Sequence, residues 1–175
     1  MFSSLPDVAN LFDMKEIQLT QGYVALVDDE DFDYLNQWKW CVKIKSNTIY
    51  VVRTIVINYK PKKTKTIRMH RLIMLCNIGK IVDHIDHNGL NNQKNNLRFC
   101  TTNQNRANSI KTNKYTTSKF KGVTLNKKSN KWISKMTINK KNIHIGCYKD
   151  EIDAAMAYDK KAKEIYGEFA NLNFK

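Results

Sequence analysis

Three short strand-like runs followed by one amphipathic helix constrain the second half of this chain to a small α+β module. The runs are Gly122–Leu125, Lys131–Ile138 and Asn142–Tyr148, separated by Asn126–Asn130 and Asn139–Lys141, whose composition suits turns. From Asp150 to Tyr166, Ile152, Ala155, Met156, Tyr158, Asp159, Ala162 and Ile165 fall near helical spacing. Asp150, Glu151 and Asp153 favour the N-terminus of that helix, and Gly167 ends it. The tail Phe169–Phe174 is expected to pack back on the sheet.

The first half is β-rich. Ile17–Leu19 and Tyr23–Val27 flank the turn Gln21-Gly22, and Asp28–Gln37 reads as a short helix. Trp40–Ile44 and Thr48–Ile57 alternate as strands, Lys60–Lys65 reads as a basic loop around Pro61, and Thr66–Met69 as another strand. Trp38 and Trp40 are expected in the core. His70–Cys76 suits a short helix with Leu72, Ile73 and Leu75 inward. Ile81–His84 begins a strand that runs into the turn signal Asn88-Gly89. Asn91–Asn96 is polar loop, Leu97–Cys100 a short strand, and Thr101-Thr102 caps a helix through Gln104, Arg106 and Ala107. Residues 111–118 read as a linker. The domains are therefore 1–110, with a β-rich part at 15–69, and 119–175.

The chain has 175 residues and a net charge of +14. Between Tyr34 and Lys149 there are 25 Lys and Arg against two acids, Asp83 and Asp86. Residues 87–149 carry fourteen Lys and Arg and no acid. A surface of one sign points to a polyanion, nucleic acid or an anionic membrane. No apolar run is long enough to cross a bilayer, and Met1–Glu16 lacks the pattern of a secretory signal. The expectation is an intracellular protein that is not secreted, in a bacterial cytoplasm or with DNA in a virus-infected cell or organelle. Cys41, Cys76, Cys100 and Cys147 are far apart without a C-x-x-C pair, so buried free thiols are expected. The two carboxylates of the basic stretch flank His84. A carboxylate facing phosphates is repelled unless a cation bridges them, which suggests a divalent metal; two loop aspartates near lysines is the plainer alternative.

The segment Val82-Asp83-His84-Ile85-Asp86, Asn95-Asn96-Leu97-Arg98 and Thr102-Asn103-Gln104-Asn105 resembles the HNH nuclease family. Asn96 follows His84 by twelve residues and Asn105 follows Asn96 by nine. The resemblance implies a ββα-metal core over 80–110. It implies His84 as the general base, Asn96 as the loop brace that orients His84, and Asp83 and Asn105 as ligands of one Mg²⁺ or Mn²⁺ ion. The third motif position is Asn105 in place of His, which disfavours zinc. Adjacent strand residues point to opposite faces, so Asp83 and His84 can share a site only where the strand ends or bulges. Asp86 is expected to hold the loop through an Asx-turn, the alternative being a place behind the metal ligands; His70 reads as a packed helix-end histidine, the alternative being a contact with DNA or help to the site.

Residues 118–174 resemble the APETALA-type (ethylene-response-factor) DNA-binding domain. The match rests on Lys121-Gly122-Val123, Lys131-Trp132, Ile145-Gly146-Cys147-Tyr148, Ala154-Ala155, Ala157-Tyr158-Asp159, Gly167, Ala170 and Leu172-Asn173-Phe174. That family implies a three-stranded sheet that enters the major groove. Thr124, Asn126 and Thr137 stand where its members place base-reading Arg, so its specificity does not carry over. The expected DNA contacts are Lys121, Lys127, Lys128, Lys131, Trp132, Lys135, Lys140, Lys141, Arg98, Arg106, Lys62 and Lys63. Trp132 has two readings, stacking on a DNA sugar or packing on the helix.

Together the halves imply a homing-type, site-directed DNA endonuclease of a mobile genetic element. It would act as a monomer on double-stranded DNA, with no membrane partner and no small-molecule substrate. The alternative is a non-catalytic sequence-specific DNA-binding protein or regulator on a degenerate nuclease scaffold.

Overall fold

The computed structural model describes residues 14–45, 48–111 and 116–174. Residues 1–13, 46–47 and 175 lie outside the described residues, as do 112–115 of the expected linker. The described residues are mixed α+β, with four small sheets and a few helices. The chain divides into two compact units, one ending at Arg98 and the other beginning at Phe99. No described helix is long and apolar enough to cross a membrane.

In the first unit, β1 (Met14–Gln18) and β2 (Val24–Asp28) form a hairpin in which Ile17 faces Ala25. Gly22, at φ 77, makes its turn. Helix α1 (Asp29–Leu35) follows at once, with Asp29, Glu30 and Asp31 in its first turn. β3 (Cys41–Lys45), β4 (Thr48–Tyr59) and β5 (Lys62–Arg68) make a three-stranded sheet in that order. The core of the unit gathers Ile17, Leu19, Ala25, Val27, Leu35, Trp40, Val42, Val51 and Met69. Trp40 is wholly buried and its indole N–H donates to the Leu35 carbonyl at 2.8 Å, which satisfies the one polar atom that burial would otherwise strand. Trp38 packs at the edge of this core, under the Arg53 guanidinium at 3.7 Å from the ring centre.

Two expectations for this unit need correction. Lys60–Lys65 is not an open loop. The chain reverses at a cis Lys60-Pro61 bond, and Lys62–Lys65 are already strand, paired with Tyr59 through Ile55. This end of the hairpin is solvated on both faces, so its sequence carries no half-buried alternation. Helix α2 (Met69–Ile73) is shorter than expected. Leu75, expected inward, is 82% exposed at φ 45, outside the helix.

β6 (Ile81–His84) and β7 (Leu97–Cys100) form a two-stranded sheet, and the connection between them is the loop that carries the candidate site. Its residue Asn91 bridges in parallel to Leu26 on β2. Gly89 is buried there. A Cβ at that position would sit 1.7 Å from the Ile49 carbonyl oxygen, so only glycine lets the loop lie on β4.

In the second unit, α3 (Thr102–Asn108) starts with a full capping box: Thr101 accepts from the Gln104 N–H, and the Gln104 side chain accepts from the Thr101 N–H. β8 (Val123–Asn126), β9 (Lys131–Ile138) and β10 (Lys141–Tyr148) form an antiparallel sheet with β9 central. Helix α4 (Glu151–Tyr166) is capped by Asp150, which accepts from the Ile152 N–H at 2.7 Å. Ala154, Ala155, Tyr158 and Ala162 form its buried face against the sheet. Asp159 is buried with them and accepts from the N–H groups of Asn173 and Phe174 and from the Asn173 side chain, each at 2.9 Å. The carboxylate thereby fastens the tail, as the packing of Ala170 and Leu172 also does.

The described ends of 111–118 are fastened to this second unit. The Lys111 ammonium donates to the carbonyls of Ser118 and Phe120, and Ser118 is buried. All four cysteines are free. None is buried: Cys147 is exposed and the others are intermediate, which corrects the expectation of buried thiols.

Candidate active site

Asp83 and His84 are the last two residues of β6, and both are buried. The strand ends at His84 because the chain turns there, with the His87 N–H donating back to the His84 carbonyl at 3.2 Å. The two side chains meet different partners. Arg98 Nη2 lies 3.4 Å from the Asp83 carboxylate. The His84 ring stands edge-on to His70, centroids 4.8 Å apart, and 6.4 Å from the ring of Tyr50. Its Nε2 lies 3.4 Å from Asn92 Oδ1.

Asn92 is the residue that sequence reasoning missed. It is wholly buried inside what reads as polar loop. Its amide donates to the Gly89 and Leu90 carbonyls at 3.3 and 3.1 Å, while its backbone N–H donates to Leu26. Asn92 therefore ties the loop to β2 and presents a fixed oxygen to His84. An amide oxygen only accepts, so in this contact the His84 Nε2 is the donor when it carries the ring proton. The available signal was the density of Asn around Asn88-Gly89, which marks a self-bonded loop without saying which Asn turns inward.

Asn96 stands at the other end of the loop. Its side-chain oxygen accepts from the Asp86 N–H at 3.0 Å, and its amide donates to the Asp86 carboxylate at 2.8 Å and the Asn91 carbonyl at 2.9 Å. Asp86 also accepts from the Asn88 N–H at 2.7 Å and the Asn91 amide at 3.0 Å. Asp86 closes the loop upon itself, in the role of an Asx-turn. The loop is further pinned to the end of β2 and to α1: Asp28 accepts from the Lys94 N–H at 2.8 Å, and the Lys94 ammonium pairs with Glu30 and Asp31. Asp28, Glu30 and Asp31 are the one group of three acids or His/Cys among the described residues that could surround a cation. The Lys94 ammonium already pairs with two of its carboxylates, Glu30 and Asp31, and Glu30 above all raises the Lys94 pKa.

Burial decides the charge of the two histidines. His70 is driven down to about 3, chiefly by desolvation, then by His84, Arg68 and Arg71. His84 is also lowered, chiefly by desolvation; Asn92, Asp86 and Asp83 oppose that shift. Both rings are neutral at pH 7. His70 Nδ1 is buried without a hydrogen-bond partner among the described residues.

The fold thus brings Asp83, His84 and Asn96 into one strand–loop–strand element, with His70, Tyr50, Asn92 and Arg98 around it. Asn105 belongs to the second unit, on an exposed position of α3. Of the expected DNA contacts, Lys62 and Lys63 are exposed at the start of β5. Lys127 and Lys128 are exposed in the β8–β9 turn, Lys131 and Lys135 on β9, and Lys140 and Lys141 at the β9–β10 turn. Arg106 is exposed on α3. Lys121 is turned inward: its ammonium donates to the carbonyls of Arg106, Ala107 and Ser109 at the end of α3. Trp132 is half-buried against Val123, Ala154 and Ala155, the packing alternative of its two readings. Arg98 faces Asp83.

Over 114 residues the chain is 40% identical to an uncharacterized HNH endonuclease of Acanthamoeba polyphaga mimivirus. The match covers 61% of this chain and 57% of that protein, so the chain spans little more than half the length of this relative. No family model matches the chain. No solved structure matches it.

Proposed function

We propose that the chain is a metal-dependent, HNH-type DNA endonuclease of a mobile genetic element, a homing-type enzyme with His84 as its general base. The observation that carries this reading is the buried, neutral His84 at the end of β6, beside Asp83, with its ring set by Asn92 and its loop braced by Asn96. A neutral imidazole accepts a proton from water at neutral pH, whereas an imidazolium does not. The unprotonated ring nitrogen of His84 takes the proton as the water oxygen attacks phosphorus, and the bond from phosphorus to the leaving 3′-oxygen breaks.

The donor chemistry suits a hard cation. Asp83 offers a buried carboxylate and Asn105 an amide oxygen, a sparse oxygen set of the kind Mg²⁺ or Mn²⁺ shares with water and phosphate. Arg98 approaches Asp83 at 3.4 Å, longer than the about 2.7–2.9 Å of a tight charge-assisted bond. Held by Asp83 and Asn105, the cation would neutralise charge on the phosphate and the leaving oxygen.

The second unit supplies the double-stranded DNA contacts in this reading, through a sheet of the APETALA type and the exposed lysines at its turns. The similarity to a protein named HNH endonuclease supports the nuclease class. The test is plasmid nicking with Mg²⁺ or Mn²⁺ by the wild type and by His84→Ala. The wild type should nick, and the variant should lose about a hundredfold or more of the rate while binding DNA unchanged. If neither protein nicks and both bind, the chain is a non-catalytic DNA-binding protein.

A further inference from the structure

We propose that a cleft between α3 and β9 in the second unit binds the phosphate of a nucleotide-sized ligand. The cleft encloses about 510 Å³, within the roughly 300–1,000 Å³ of small-molecule sites. Four cations line it, Arg106, Lys111, Lys121 and Lys135, and no carboxylate does. Tyr158 and Tyr166 form the wall on the α4 side.

The cations fall into two kinds. Lys111 and Lys121 are fixed, their ammoniums held on backbone carbonyls of 118 and 120 and of 106, 107 and 109. Burying such charges without an anion costs free energy. Desolvation accordingly lowers both pKa values, that of Lys121 to about 8. The carboxylates that oppose these shifts, Glu151 and Asp159, are not in the cleft lining, and Asp159 is taken up by the tail. Arg106 and Lys135 are exposed and form no ion pair among the described residues. Their donors are available to a phosphate entering the cleft, and Lys111 and Lys121 add a preset positive field behind it.

This site is distinct from the lysines exposed at the turns, Lys127, Lys128 and Lys140, which are not in its lining. It rests on the nucleic-acid reading only for the origin of the phosphate. The probes are inorganic phosphate, thymidine 5′-monophosphate and thymidine, titrated into the full chain in EDTA and followed by backbone amide NMR. The two phosphates should give saturable shifts at Gly122, Thr124 and Thr137, and thymidine none. Arg106→Ala and Lys135→Ala should each weaken binding about tenfold, as loss of a charge-assisted bond does. Lys160→Ala, at an exposed lysine of α4 outside the lining, should leave it unchanged.

Absence of saturable shifts, equal shifts with thymidine, or equal weakening by Lys160→Ala overturns the proposal. Competition against labelled duplex in EDTA then identifies the source: displacement by the mononucleotide assigns the cleft to a strand phosphate, and binding without displacement assigns it to a free nucleotide. No step depends on cleavage, so a failure of the nuclease reading leaves this result legible.

Discussion

His70 shows what burial does to a single titratable side chain next to the proposed base. Its ring is 3% exposed, stands against His84 and lies near Arg68 and Arg71, all of which disfavour its cation. Its folded pKa of about 3 lies below the ordinary 6.5. Between those values the unfolded chain holds a proton that the folded chain does not. Stability from this residue is therefore complete above pH 6.5 and is lost as pH falls toward 3, at up to about 1.4 kcal/mol per pH unit. Urea midpoints measured from pH 7 to pH 4 should show this loss, and His70→Phe should flatten the acid limb by about one proton. Equal slopes for the two proteins would mean that His70 is already charged when folded. The sequence pointed to His70 as a packed histidine but not to its contact with His84, because the two meet only when α2 and β6 are folded.

At the scale of elements, legibility followed burial. β1, β2, β8, β9 and α4 each have one buried face, and their periodicity is visible. The solvated end of the β4–β5 hairpin has no such face, so Lys62–Lys65 looked like loop. In the loop between β6 and β7, Asp86 and the spacing to Asn96 were readable as a motif. Asn92 was not, since an inward Asn has the same composition as an outward one. Gly89 is where this loop comes closest to β4. Its missing Cβ is what admits the Ile49 carbonyl, and a methyl there would force β4 or the loop aside. Gly89→Ala should cost about 3 kcal/mol, seen as a lower urea midpoint with an unchanged slope. Gly22→Ala meets nothing within 4 Å, and only its positive φ resists, for about 1 kcal/mol. Similar losses at the two positions would rule out steric contact with β4 as the reason for Gly89.

For the whole molecule, charge is the property that reaches furthest. The chain carries +14, and fourteen of its sixteen acids lie before Tyr34 or after Lys149. Inside the basic stretch, Asp83 faces Arg98 and Asp86 is consumed by its own loop, so neither offsets the exposed lysines of β5 and of the second unit. In the proposed reading, attraction to DNA should thus come mainly from release of counterions, with an affinity that falls linearly in log–log form with salt. If six or more phosphates are neutralised, affinity should drop about a thousandfold or more between roughly 50 and 200 mM salt. Fluorescence anisotropy with a labelled duplex in EDTA measures that slope. Lys62 and Lys63 are neighbours on β5 and point to opposite faces, so replacing both by Ala should reduce it by about one phosphate's worth. A flat salt dependence in the wild type would mean that the basic stretch does not meet phosphates, and it would remove the electrostatic basis for the nucleic-acid reading altogether.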